Sequence, residues 1–281
     1  MQSKKPDSLR TVVLDGVTLH LAHPDELEIR WVGQEELVKQ LMAAWMIVDP
    51  RDVPMSPRLL GKPGVGKTTL AYAVARQLGL EVYILQATLD TRPEDLLVTP
   101  VIEGAGQLRY VASPLVTAMV RGGVVILDEG NRMSEKSWAS LAPLLDSRRY
   151  VESIVAGIKI KAHPDFRLVA TMNDDASTFE LPEYIHSRLQ PQIFIDFPER
   201  EEEKAILKEN LPFADDQILE YVTNFLQAAH EADERYTARD GINLARFAIK
   251  LTQSGGIGLQ AALKIAIRQT LGEEAQRYVR R

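Results

Sequence analysis

Cysteine is absent from the 281 residues, which excludes disulfides, thiol catalysis and cysteine-ligated zinc. No run of about 18 or more apolar residues occurs, so no helical membrane span is expected. Positive charge is in deficit: 33 Lys and Arg stand against 39 Asp and Glu, a net of −6, and a dedicated nucleic-acid binder usually shows the opposite sign. Aromatic residues make up only 6% and form no aromatic–basic stripe of the kind that stacks single-stranded bases. The five histidines (20, 23, 163, 186 and 230) have no metal-ligand spacing, and no G-x-S-x-G nucleophile pattern occurs. Residues 1–10 are polar and basic with no apolar stretch behind them. That argues against a secretory signal and makes the cytoplasm the expected location.

What is present suits a globular chain: 45% hydrophobic and 26% charged residues, long enough for one large core or two modest ones. Residues 11–21 read as a small hairpin turning at Asp15-Gly16, and 34–48 as a helix with Leu37, Leu41, Trp45 and Val48 on one face. Three prolines mark 49–57 as a connector. Then strands and helices alternate: strands over 58–60, 81–85, 124–128, 167–172 and 193–197, a helix over 67–78, and another through Trp138, Leu141 and Leu145. This alternation predicts a parallel sheet with helices on both sides. Residues 98–110 and 150–161 read as hairpins set into that pattern. Behind Phe197-Pro198 only helical spacing remains, over 215–232, 239–251 and 259–271. The expected domains are an N-terminal extension (1–30), an α/β domain (31–198) and a small all-helical domain (199–281).

The segment Gly61-Lys62-Pro63-Gly64-Val65-Gly66-Lys67-Thr68 matches G-x-x-x-x-G-K-[ST], the P-loop pattern, with a strand before it and a helix behind it. Glycines let successive N–H groups turn inward on phosphate oxygens, and the helix opening near Lys67 aims its positive end at the same place. Lys67 is expected to reach the β- and γ-phosphates and Thr68 to offer its hydroxyl to Mg²⁺. Thr69 reads as a helix residue with a minor polar contact.

A continuous apolar strand ends in Asp128-Glu129, and another, Arg167–Met172, ends in Asn173. Ligands of open α/β sheets sit beyond the carboxyl ends of the strands. Asp128 is therefore expected to hold Mg²⁺, mostly through water. Glu129 is expected to polarise the attacking water as general base, and Asn173 to bond the γ-phosphate or that water. Taken alone, Asp-Glu is also an ordinary solvated strand end, and Asn an ordinary turn residue.

The ordered set resembles a AAA+ ATPase, within it the MoxR and dynein-related branch. It comprises Val32-Gly33-Gln34-Glu35, the cradle, Leu127–Arg132, His163–Asn173, Leu181-Pro182-Glu183 and Ser187-Arg188-Leu189. The resemblance runs from about residue 30 to 272. It departs from the family at Leu189, where relatives often have Phe, and at Gly130, usually an apolar position. It implies a P-loop parallel sheet sandwiched by helices with a helical lid behind, and ATP or ADP with Mg²⁺ as ligands. Val32 and Gly33 would lie near the adenine, Asn173 at the sensor-1 position and Arg239 at the sensor-2 position. Arg188 would be the arginine finger acting on a neighbouring subunit's ATP in a homo-hexameric ring. The two hairpins would be the helix-2 insert and the pre-sensor-1 hairpin, which in relatives face the pore or a partner. The implied activity is ATP-driven remodelling or activation of a separate protein, in relatives commonly a von Willebrand factor A protein.

Read without the family, Arg188 and Arg239 are equally surface ion-pair residues, and Arg132, Arg148 and Arg149 are interface charges or a solvated face. Two other functions stay open at this point. One is a nucleic-acid motor or loader, which the acidic charge opposes. The other is a nucleotide-gated scaffold with little turnover, which the intact Asp128, Glu129 and Asn173 oppose.

Overall fold

The computed structural model describes residues 10–173 and 181–279; the tail expected over 1–10 lies, but for Arg10, outside the described residues. These form two compact units. One holds residues 10–29, 37–60, 68–173 and 181–194, the other residues 30–36, 61–67 and 195–279.

In chain order the first unit and its margins contain β1 (Thr11–Leu14), β2 (Val17–His20), α1 (Glu35–Trp45), β3 (Arg58–Gly61), α2 (Lys67–Gln77), β4 (Val82–Gln86), α3 (Pro93–Leu96), β5 (Val98–Ile102), β6 (Leu108–Ala112) and α4 (Pro114–Arg121). There follow β7 (Val124–Asp128), α5 (Glu135–Leu141), β8 (Tyr150–Ser153), β9 (Ile158–Lys161), β10 (Arg167–Asn173), α6 (Glu183–His186) and β11 (Gln192–Phe194). The main sheet runs β11-β3-β10-β7-β4. β7 is its most enclosed strand. It pairs in parallel with β10 (Val125 opposite Leu168) and with β4 (Val125 opposite Tyr83), and Val124 to Leu127 expose no surface. A strand covered on both faces has no place for a polar residue until it ends, which accounts for the unbroken apolar run. The core adds Leu115 and Met119 of α4, Trp138 of α5 and Phe166.

Several features depart from the sequence reading. Val48 was expected on the face of the 34–48 helix, but α1 ends at Trp45 and Val48 is exposed beyond it. β11 was expected over 193–197 but covers Gln192–Phe194: its parallel partner β3 is matched only as far as Phe194 opposite Leu60, where the glycine loop begins. Leu145 was expected on the helix of Trp138 and Leu141. That helix ends at Leu141, two residues before Pro143, which has no N–H to continue it; Leu145 is buried from the segment that follows. Helix α4 was not read at all. It is bounded by Ser113, whose hydroxyl accepts from Val116 N at 3.1 Å, Pro114 in its first turn and Gly122 in the left-handed conformation.

The N-terminal hairpin and the 98–110 hairpin, read as separate pieces, form one four-stranded sheet ordered β1-β2-β6-β5. The joint is a parallel pairing of β2 with β6, Leu19 opposite Tyr110 and His20 opposite Val111. The chain then runs along the open edge of the main sheet. Asp25 N donates to Val82 O at 2.8 Å, and Asp25 Oδ2 accepts from Ile84 N at 2.7 Å. This covers polar groups that an edge strand would otherwise leave unpaired.

The second unit contains α7 (Arg200–Asn210), α8 (Asp216–Glu231), α9 (Ala238–Gly255) and α10 (Leu259–Leu271). Its core is built from Leu207, Leu219, Val222, Phe225, Leu244 and Leu263, residues at helical spacing on facing stripes. Among the described residues no helix is long and apolar enough to cross a membrane.

Candidate functional site: strand ends and a phosphate-cradle loop

The first unit gathers polar side chains at the carboxyl ends of neighbouring strands. Asp128 Oδ1, at the end of β7, accepts from Thr68 Oγ1 and from Thr171 Oγ1, both at 2.6 Å. Thr171 lies inside β10 with no exposed surface, and its hydroxyl also accepts from Glu129 N at 3.0 Å. Glu129 is held at φ +55°, a left-handed conformation that costs a non-glycine residue on the order of 1 kcal/mol. The Thr171 contact captures its N–H in that turn. Glu129 Oε1 accepts from Asn173 Nδ2 at 3.2 Å, and Arg132 Nε stands 2.6 Å from Oε2. Thus Thr68, Asp128, Glu129 and Asn173 are brought together as the sequence suggested, with Thr171 and Arg132 beside them.

The glycine loop belongs to the second unit. Gly64 has φ +91° and Gly66 φ +100°, backbone that an L side chain rarely adopts. A Cβ at Gly64 would stand 2.5 Å from Thr237 Oγ1 and 3.4 Å from Arg239 Cβ, so glycine is required there for space as well as for conformation. Lys67, 6% exposed, donates from Nζ to Gly61 O and Lys62 O, each at 2.9 Å, which holds the ammonium across the loop. Pro63 is exposed and Val65 half-buried. Thr69 lies in α2 with no side-chain hydrogen bond among the described residues. Val32 and Gly33 precede Gln34, whose N–H donates to Glu202 Oε1 at 2.7 Å; a Cβ at Gly33 would meet that carboxylate at 2.8 Å.

The arginines divide. Arg239 opens α9 just behind Thr237 and is exposed. Arg188 is not in the strand-end cluster: its Nη1 donates to Tyr184 O at 2.6 Å and its Nε lies 3.5 Å from Asp146 Oδ2. Arg149 is not a free surface charge. Its Nη2 donates to His163 O and Phe166 O at 3.3 and 3.0 Å, and burial pushes its pKa down.

The donor chemistry at the strand ends suits Mg²⁺. A hydroxyl and a carboxylate, both hard oxygen donors, stand in contact at Thr68 and Asp128. Among the described residues no group of three His, Asp or Glu side chains is placed to hold a metal ion. Mg²⁺ typically takes one or two carboxylates and completes its shell with water and nucleotide phosphates, so this sparse set fits an ion that comes with its nucleotide.

Residues 58–189, from β3 to the residue after Arg188, match the family model of the AAA domain, dynein-related subfamily. This stretch, just under half of the chain, is similar to AAA domains of the dynein-related subfamily. Among curated proteins, uncharacterized proteins of Staphylococcus epidermidis and Staphylococcus aureus are 27% and 28% identical over 172 residues. The match takes in 59% of this chain and spans 65% of the length of those relatives. Among solved structures, the fold is similar to the RuvB Holliday junction branch migration motor of Thermotoga maritima. The TM-score is 0.59 at 20% identity, covering 85% of this chain and 70% of that one. It is also similar to NtrX of Brucella abortus in complex with ADP, with a TM-score of 0.54 at 16% identity over 89% of this chain and 66% of that one. These likenesses establish the P-loop AAA+ fold: a helix-flanked parallel sheet with helices behind it.

Within the matched stretch 58–189, Thr171 and Arg132 were not assigned to the site from sequence. Thr171 had a signal, as the one hydroxyl in an otherwise apolar stretch of β10. A buried hydroxyl on a central strand needs a partner, and the nearest strand end supplies Asp128. Arg132 carried no comparable signal, because the turn that returns it to Glu129 depends on the left-handed backbone at Glu129.

Proposed function

We propose that this protein is an ATPase in which the loop Gly61–Lys67 binds the phosphates of ATP and the strand ends carry out hydrolysis. The observation that carries the reading is the four-residue assembly of Thr68, Asp128, Glu129 and Asn173, drawn from three separate segments to one end of one sheet. Backbone N–H groups of the loop and the Lys67 ammonium take the β- and γ-phosphates of ATP, and keep the β-phosphate of ADP once the γ-phosphate has been released to water. Thr68 and Asp128 hold Mg²⁺, which supplies charge neutralisation to the phosphate oxygens. Glu129, fixed by Asn173 and Arg132, accepts the proton of the attacking water. Asn173 also bonds the γ-phosphate, Val32 and Gly33 lie against the base, and Arg239 answers phosphate charge from the first turn of α9.

Arg188 is proposed as the finger for a second copy's ATP. A head-to-tail contact of this kind makes a ring where its rotation closes, and we take that ring to be a homo-hexamer. Turnover would then drive remodelling or activation of a separate protein, of MoxR type, with a von Willebrand factor A protein as the candidate partner and the cytoplasm as its location. The linear division 1–30, 31–198 and 199–281 is kept as the proposed domain plan. The likeness to RuvB is one of fold, and the net charge of −6 opposes a nucleic-acid substrate.

Lys67→Ala tests the foundation. Loss of ATP binding by calorimetry, at least about hundredfold, and loss of phosphate release are expected. Wild-type binding and turnover in that variant would overturn the reading. Stimulation of turnover by DNA that falls steeply with salt would favour a nucleic-acid motor instead, and tight ATP binding without phosphate release at high protein concentration would favour a scaffold.

A further inference from the structure

Asp146 lies on the segment behind α5 and is engaged by two arginines. Its Oδ1 accepts from Arg148 N and Nε, each at 3.0 Å, and its Oδ2 accepts from Arg148 Nη2 at 2.8 Å. This two-pronged pair fixes the carboxylate firmly, because the planar guanidinium matches its geometry. Arg188 Nε forms an ion pair with the same Oδ2 at 3.5 Å, without a hydrogen bond, while Arg188 Nη1 donates to the carbonyl of Tyr184 in α6, four residues back. The Arg188 guanidinium is thus restrained on two sides by different segments of the first unit. No hydrogen bond to its Nη2 is found among the described residues, and the side chain is 30% exposed. Arg148 holds the Asp146 carboxyl down at about 2, so it stays ionised throughout the neutral range. With two guanidinium groups to one carboxylate, the group keeps a net positive charge for an anion.

This inference rests on the assignment of Arg188 as the finger. We propose that Asp146 is its positioning residue: fastened by Arg148, it holds the Arg188 guanidinium in place and leaves the Nη2 edge for the γ-phosphate bound by a second copy of this chain. A long, flexible arginine that must find its geometry during the reaction contributes less than one already ordered. Asp146 does that ordering when the chain folds. Because the finger acts on charge that develops in the transition state, loosening it should lower kcat and leave KM for ATP nearly unchanged.

The experiment measures steady-state ATP hydrolysis by the full chain at matched protein concentration for wild type, D146N, R148A, R188A and D146N/R188A. Expected are a fall in kcat of about 10³-fold for R188A and about tenfold for D146N with KM within about twofold. The double variant should be no slower than R188A alone, since a positioning residue has nothing to position once the finger is gone. R148A, which frees Asp146 but keeps its charge, should lose about threefold, and it gives the answer even where D146N fails to fold. Wild-type kcat in both D146N and R148A beside a crippled R188A would overturn the role of Asp146 and leave the finger standing. A further tenfold loss in the double variant would also overturn it, by showing that Asp146 acts apart from Arg188. Full activity of R188A would overturn the finger assignment, and this inference with it.

Discussion

Asp128 at the end of β7 and Glu203 in the first turn of α7 are both carboxylates drawn into protein, yet they are handled in opposite ways. Asp128 is half-buried and accepts two hydroxyl hydrogens on one oxygen, both at 2.6 Å. Glu203 exposes no surface. One oxygen accepts from Gln227 Nε2 at 2.8 Å, and the other has no hydrogen-bond partner. Burial pushes the Glu203 carboxyl up to about 7, where half of it carries a proton. The sheet unit gives its acid two hydroxyl donors. The helical unit encloses its acid in apolar surroundings, which favours the neutral form and makes the group a burden on stability as pH rises. A polar residue at a strand end is organised for work; one inside the helical unit is tolerated.

The comparison can be broken most forcefully at Glu129. Glu129→Gln keeps the size of the side chain and an acceptor for Asn173 but removes the base. Turnover should fall by about 10² to 10⁴-fold with ATP affinity retained, checked by phosphate release and equilibrium binding; equal turnover would remove Glu129 from the chemistry. Thr171→Val comes next. It takes one donor from Asp128 and the acceptor from Glu129 N, leaving a half-buried N–H unpaired. A loss of about 1–3 kcal/mol of stability in urea unfolding and roughly tenfold in kcat are expected. Wild-type values for both would show that the strand-end donors are dispensable.

The smallest effect sharpens the other side of the contrast. The folded-state pKa of Glu203 is raised, so its contribution is fully present below its ordinary value of 4.5 and is lost as pH rises through about 7. Glu203→Gln should therefore gain melting temperature relative to wild type as the pH goes from 5 to 8, by a few degrees. A difference that does not change with pH would mean that Glu203 ionises as readily in the folded chain as in the unfolded one.

Much of this was legible along the chain because the relevant physics is local. The β7 strand announces itself through an unbroken apolar run, and the loop through glycines that only a left-handed backbone requires, as Gly64 and Gly66 show. Where the physics is not local, the reading stopped short. The ordering of Arg188 by Asp146 joins residues 42 apart whose pairing no spacing rule encodes. Arg149 sits among charged neighbours and reads as surface, and only the fold shows it spanning two carbonyls of the turn before β10. Helix α4 is a different case: its signals at Ser113, Pro114 and Gly122 are local and legible along the chain.

The parallel joint between β2 and β6 has a consequence for the order in which the molecule forms. Leu19 and Tyr110 are separated by α1, β3, α2, β4, α3 and β5, so on a ribosome the first hairpin emerges long before the strand it must lie against. Closing so long a loop is slow and is rewarded only at the end. The strands and helices between them are therefore expected to collapse first, with β2 zipping on late, as the last seam of the sheet unit to close.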